Sequence, residues 1–397
     1  MTELRPSSYQ APPDIDRLMR TAGLIGIVGI AASIFGAMTN PEQFYRSYLV
    51  AFIFVLAPAT GSLAWMMIHY LSGGAWGLGI RRLLEAGSRT IPLVAILFIP
   101  VVLGMGHIYE WTHADVVAKD PILQAKAPYL NTTFFLIRAV IYFAVWIGLA
   151  FTLTGWSRQQ DTNPTPEGAD AKFRVVSGPG IVLYVATITF ASFDWIMSID
   201  PHWYSTIFGL LIAVSQGLST MAFTIIMAFV LSRSSTMEPV LTPNKFHDYG
   251  KLLFAFTMLW AYLGFSQFLI IWSANLPEEV TWYILRFNHG WGTVSLVIAL
   301  GHFVFPFLML LSSDLKRAPS RLALLSAYFL VMRFIDVHWL VMPNFNNGHF
   351  TVHWLDVATI VGLFGIWIAA YCWNLKGRAL LPVGDPYLGE ALADGHH

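Results

Sequence analysis

The stretch FDWIMSIDPHWYS, residues 193–205, closes a long apolar run with a carboxylate. Asp194 follows nineteen mostly apolar residues, and a second aspartate, a proline and a histidine come within the next eight positions. A carboxylate at the edge of an apolar segment can exchange a proton, because burial favours its neutral form and a nearby cation its charged form. A second group of this kind stands in IDVHWLVMP, where Asp336 precedes Pro343 by seven residues, as Asp194 precedes Pro201 by seven. Arg333 is three positions from Asp336, within reach on one helix. Arg138, at similar depth in the preceding apolar segment, is the expected partner of Asp194. Thr187, Asp194 and Ser198, at spacings of seven and four, lie near one helical stripe. Hydroxyls there can order water beneath a carboxylate, or simply bond their own backbone. His302 lies in the middle of another apolar segment, as a core histidine or a proton relay. The seven residues are candidates for carrying protons, with Thr187, Ser198 and His302 continuing a path inward. The alternative is two salt bridges that only lock helices together.

The elements that position these residues follow from composition. Of 397 residues 56% are hydrophobic and 12% charged, and mean hydropathy is +0.59. Soluble domains are about one-quarter charged, so the fold class expected is an all-α polytopic membrane protein. The 23 basic and 23 acidic residues balance, which gives no reason to expect a nucleic-acid partner. The single cysteine, Cys372, excludes internal disulfides, cysteine-ligated iron–sulfur clusters and C-x-x-C-H haem attachment. The first twenty residues are too long and polar for the start of a signal peptide, so the first apolar run reads as a retained helix.

A spanning helix needs about 20 mostly apolar residues. Ten segments qualify, at about 19–38, 47–71, 89–106, 130–155, 175–199, 206–231, 250–273, 290–312, 321–341 and 354–374. Seventeen of the 23 Lys and Arg residues fall on the side of the termini and four on the other; Arg138 and Arg333 lie within spans. Both termini are therefore expected in the cytoplasm. Residues 1–18 would be a cytoplasmic segment, 376–397 a cytoplasmic tail, and the whole chain one integral membrane domain. The GGAWG turn at 73–77, ahead of Arg81 and Arg82, reads as a cytoplasmic loop. Trp and Tyr gather at the outer ends, as in an interfacial belt. The matched aspartates of spans 5 and 9, four spans apart and both running inside to outside, suggest a parallel repeat. Spans 2–5 (47–199) and 6–9 (206–341) would form two four-helix bundles, with spans 1 and 10 peripheral. Asp356 is expected to favour the helix N-terminus that it opens. His289 and His338 could meet at the outer face, which leaves a haem there open.

GGAWGLGIRRLLEAGSRTIPL, FASFDWIMSIDPHWYSTIFG, LWAYLGFSQFLIIWSANLPEE and MRFIDVHWLVMP resemble the NrfD/PsrC-like membrane family, and within it the ActF subunits of alternative complex III, a quinol:cytochrome c oxidoreductase. The likeness runs from about residue 14 to 390. It implies ten helices in two four-helix bundles plus two peripheral helices, in a bacterial inner membrane. The implied partners are the ActC paralogue and outer-side subunits carrying haem c and iron–sulfur clusters, besides membrane lipid. It implies a cofactor-free subunit that serves as scaffold and proton path in electron transport. Quinone remains an open ligand, and a chain that itself oxidises quinol is the alternative. No residue of a quinone site carries over. A secondary transporter using Arg333 and Asp336 fits less well, since the charges lie towards the outer face and glycines do not interrupt paired helices.

Overall fold

A computed structural model of the chain describes residues 9–162, 171–234, 236–345 and 348–389. The first eight residues of the expected N-terminal segment and residues 390–397 of the tail lie outside these. Among the described residues ten helices are long and apolar enough to cross a membrane: Pro13–Thr39, Pro41–Ser72, Ala75–Leu103, Thr132–Thr162, Ala171–Ile199, Phe208–Ser232, Pro243–Ala274, Trp291–Leu311, Pro319–Asn344 and Trp354–Lys376, here spans 1 to 10. No strand occurs among the described residues. The chain is an all-α polytopic membrane protein.

Nine spans lie close to the expected segments, and the third is a correction. It was expected at 89–106 but begins at Ala75 and ends at Leu103. The helix Leu78–Ser88 is buried along its whole length, although it carries Arg81, Arg82 and Glu85. Charges that neutralise one another inside the protein do not register as apolar in a sequence window. Two arginines assigned to a cytoplasmic loop are thus interior, and the fifteen left still far outnumber four. Above them the span is broken. Pro92 and Pro100 stand in the first turns of the short segments Ile91–Leu97 and Ile99–Leu103. There a missing N–H costs no helical hydrogen bond.

Span 2 is the hub. All of its most apolar window is buried inside the protein, against 22% for spans 7 and 8. It packs on spans 3 and 5 on one side, spans 6 and 9 on another, and spans 1 and 10 on a third. Span 4 closes the first group against spans 3 and 5, while spans 7 and 8 close the second against 6 and 9. Spans 5 and 6 join the groups. Spans 1 and 10 meet through glycines: a Cβ on Gly29 would come within 2.4 Å of the Gly362 amide nitrogen, and one on Gly365 within 2.7 Å of the Gly26 Cα. Small residues let two backbones approach where lipid offers no hydrophobic drive.

Both described chain ends lie at one end of the molecule, where the Leu380 amide donates to the Tyr9 carbonyl at 2.7 Å. We call this the inner end. At the outer end, the helix Pro277–Phe287 lies between spans 7 and 8 and buries Trp282, Tyr283 and Arg286. The expected aromatic belt needs correction here. Tyr129, Tyr204, Trp272 and Trp354 are exposed, but Trp111, Trp195, Trp203, Trp282 and Trp291 are buried among other rings. Asp194 and Asp336 are each followed by a 3-10 turn, Met197–Ile199 and Met342–Asn344.

Candidate functional site

Asp194 is fully buried near the outer end of span 5. Span 4 presents Arg138 to it in a two-pronged contact, Nε to Oδ2 and Nη2 to Oδ1, each 2.8 Å. Tyr142, one turn further along span 4, donates to Oδ2 at 2.8 Å. Three donors offset the desolvation of a buried carboxylate. Arg138 is itself fixed by the Tyr129 carbonyl at 3.0 Å and lies over the Tyr129 ring at 3.9 Å. Its side chain is 16% exposed, so the pair is enclosed at Asp194 and reaches the protein surface at Arg138. Ser198 does not continue the site inward. It follows Asp194 in a span running outward, and its hydroxyl donates to the Asp194 main-chain carbonyl at 2.5 Å.

Below Asp194 the same helix face stays polar. Thr187 donates to the Leu183 carbonyl at 2.7 Å and accepts from the Trp146 indole at 2.8 Å, so it both bonds its own backbone and reaches span 4. Tyr184 donates to the Gln216 side-chain oxygen at 2.6 Å, an atom that also accepts from Thr60 at 2.9 Å. This links spans 5, 6 and 2. Ser177, also buried, lies one turn from Phe173, whose ring stacks on Tyr70 at 4.5 Å. From Ser177 to Asp194 the stripe rises about 25 Å at 1.5 Å per residue, close to the ~30 Å apolar thickness of a bilayer. Tyr184, Ser177 and Gln216 were not among the sequence candidates; the spacings of seven and three back from Asp194 could have found the first two.

The second bundle is built differently. Asp336 takes its arginine from its own helix: Arg333 Nη1 donates to Asp336 Oδ2, and Arg333 Nε reaches the Ser219 hydroxyl at 3.3 Å. Asp336 also lines a cavity of about 370 Å³ among spans 6 to 9, together with Gln267, Tyr283, Ser295, Trp260 and Trp339. Three further lining residues, Phe265, Phe287 and Val304, are exposed, so the cavity opens sideways between spans 7 and 8. His302 is buried beside it, on a π-helical turn over Ile298–Val304, with its ring edge-on to Trp260 at 4.2 Å. Its ring nitrogens have no hydrogen-bond partner among the described residues. The seven candidates thus divide: Asp194, Arg138, Thr187 and Ser198 in one bundle, Asp336, Arg333 and His302 in the other. His302 therefore continues no path from Asp194.

No family model matches the chain, and no curated protein matches it.

The inner end holds a polar cluster that sequence reading missed. Arg81 donates to Glu85 at 3.2 Å and to Asp385 at 2.5 Å, and Arg82 to Glu85 at 2.7 Å and to Asp161. Arg378 donates to Glu85 at 2.9 Å. Ser157 donates to Glu85 at 2.5 Å and accepts from both Arg81 and Arg82. Three arginines face three carboxylates from spans 3 and 4 and the C-terminal segment. The guanidinium of Arg81 also lies 4.9 Å from the Tyr70 ring centroid, just below the polar stripe of span 5. Leu380, Leu381 and Leu388 are buried beside it and hold that segment down.

Other expected residues have simple roles. Asp356 caps span 10 in a reciprocal capping box with His353 and also accepts from Ser47 of span 2 at 2.5 Å. The His289 ring lies tilted against His349, centroids 4.6 Å apart, while His338 packs against Trp291 and Phe334. On the outer loop the His202 ring lies 2.6 Å from Asp120, and this hydrogen bond, with the Leu123 and Ile122 amides, holds the Asp120 carboxyl below its ordinary value. Burial lowers the affinity of Arg286 for its proton; its contacts are carbonyls of Trp282 and Leu340 and the Trp282 ring at 3.5 Å. No group of three or more His, Cys, Asp or Glu able to hold a metal occurs among the described residues.

Proposed function

We propose that the chain is a cofactor-free membrane subunit of a quinol:electron-acceptor oxidoreductase of the alternative complex III kind, the ActF subunit, in a bacterial inner membrane. In this reading it anchors the outer-side haem c and iron–sulfur subunits beside an ActC-like paralogue, and it carries protons. The observation that supports proton carriage is the polar face of span 5. Asp194, Thr187, Tyr184 and Ser177 are buried along about 25 Å of helix, from the partly exposed Asp194–Arg138 pair at the outer end towards the Arg81–Glu85 cluster at the inner end. Polar side chains in a bilayer are costly and usually face a proton or ion pathway or a helix contact. At Asp194 proton uptake requires the Arg138 contact to open, and Arg138 reaches the protein surface, with 16% of its side chain exposed.

The test uses the purified complex in sealed vesicles. Asp194→Asn should leave it assembled while proton release per electron falls or turnover slows. Impaired assembly, from an arginine stranded at a cost of about 3–5 kcal/mol, would mean a structural pair. An assembled variant with unchanged turnover and stoichiometry would rule the role out.

The cavity beside Asp336 favours a second reading, in which the chain binds quinol itself. About 370 Å³ is in the range of small-molecule sites, the opening faces lipid, and Asp336 is placed to accept a proton. A Cβ on Gly264, which lines the cavity, meets nothing within 4 Å. Gly264→Leu should therefore fold normally and fill the space. A short-chain quinone should quench tryptophan fluorescence saturably in the parent chain and about tenfold more weakly in this variant, from roughly 1–3 kcal/mol of lost packing. Equal quenching in both would dismiss the reading.

A further inference from the structure

At the inner end a second cavity, of about 430 Å³, lies between spans 3 and 4 and the ends of spans 1 and 10. Four cations line it, Arg89, Arg158, Lys376 and Arg378, and Trp373 and Met19 supply apolar wall. Two of the four are compensated. Lys376 lies 2.6 Å from Asp16, and Arg378 belongs to the balanced cluster around Glu85. The other two are not. Arg89 donates to the Thr154 hydroxyl at 3.2 Å and lies over the Phe151 ring at 4.6 Å; Arg158 is exposed. Neither has a carboxylate partner among the described residues. Two positive charges are thus held in one concave site at the membrane surface, where they repel each other and attract an anion.

The surroundings say which anion. Beyond Arg89, towards the outer end of span 3, Ile96 and Leu103 are 61% and 71% exposed. Trp373 is 69% exposed at the mouth, as expected of an interfacial ring. The cationic site therefore opens onto an apolar, lipid-facing surface directed towards the bilayer centre. Guanidinium groups match phosphate oxygens two at a time, and basic pockets between spanning helices on the inner side suit anionic headgroups. We propose that this cavity binds a phosphodiester anion, the headgroup of an anionic phospholipid of the inner leaflet. Arg89 and Arg158 engage the phosphate, and an acyl chain lies along Ile96 and Leu103. A free phosphate ester shares the headgroup chemistry but cannot use the apolar half.

Native mass spectrometry of the full chain in detergent tests this, with dioleoyl phosphatidylglycerol, dioleoyl phosphatidylcholine and tail-free glycerophosphoglycerol as probes. Phosphatidylglycerol should be retained over the other two. Arg158→Gln should weaken that retention about fivefold, and R89Q with R158Q about thirtyfold, from the usual contribution of one basic group at a membrane surface. Arg158 is exposed and has no ion-pair partner among the described residues, so its variant is expected to keep the structure. Arg158→Lys, which keeps the charge but not the two-pronged contact, should weaken binding less than Arg158→Gln, and Lys172→Gln, at the same end but away from the cavity, should leave it unchanged. Equal retention of the two lipids, or unchanged affinity in the double variant, would overturn the proposal. Equally tight binding of glycerophosphoglycerol would replace the lipid with a soluble phosphate ester.

Discussion

Asp194 and Asp336 show how one residue type at one spacing reaches two different settings. Asp194 receives an arginine and a tyrosine from the neighbouring span and is fully enclosed. Asp336 is paired by Arg333 one turn back on its own helix and borders a cavity. Glu85 is the most heavily used carboxylate, since Arg81, Arg82, Arg378 and Ser157 all donate to it. Glu85→Gln would leave three buried or half-buried guanidinium groups short of a counter-charge. Removing one partner of a buried ion pair costs about 3–5 kcal/mol. The expected outcome is a loss of that order in detergent unfolding, with the C-terminal segment becoming open to protease. A variant as stable as the parent would show that Asp161 and Asp385 suffice.

The elements explain why such charges are tolerated. Span 3 is two short helical segments over the buried Leu78–Ser88 helix, and Pro92 and Pro100 mark the breaks. The Leu78–Ser88 segment can thus turn its arginines into the protein while the segments above it face lipid. Span 8 contains a π-helical turn at its centre, which places His302 against Trp260; such turns re-aim side chains and are frequent at functional positions. The contact between spans 1 and 10 is the simplest element-level prediction. In Gly29→Leu the new Cβ would meet backbone, 2.4 Å from the Gly362 nitrogen and 3.0 Å from the Ala358 carbonyl. Backbone cannot rotate away, so the helices must separate. A loss of about 1–3 kcal/mol or more is expected, together with lost crosslinking between cysteines placed at the inner ends of the two spans. Gly148→Leu, where an added Cβ meets nothing within 4 Å, should leave both unchanged.

For the whole molecule, the charge bias predicts that the end holding both described chain ends faces the cytoplasm. In a Cys372→Ala background, an impermeant thiol reagent outside intact cells should label Lys119→Cys and leave Gly377→Cys untouched. Both positions are exposed in the fold, so labelling reports sidedness rather than burial. The reverse pattern would invert the molecule, and with it the leaflet assigned to the cationic cavity.

Hydrophobic run length and the excess of Lys and Arg on one side determined ten spans and their expected direction, because the bilayer imposes both on any chain. The matched spacing of Asp194 and Asp336 to proline suggested two related helices; depth pointed to Arg138 as one partner, and a separation of three residues on one helix to Arg333 as the other. Only the tertiary structure decided what those pairs face. The cavity beside Asp336 is formed by spans 6 to 9 together, and no single stretch of sequence encodes its volume. It also decided that Arg81 and Arg82 are interior. Their neutralising partners Asp161 and Asp385 stand 79 and 304 positions away, and charge compensation over such separations comes into being only when the helices pack.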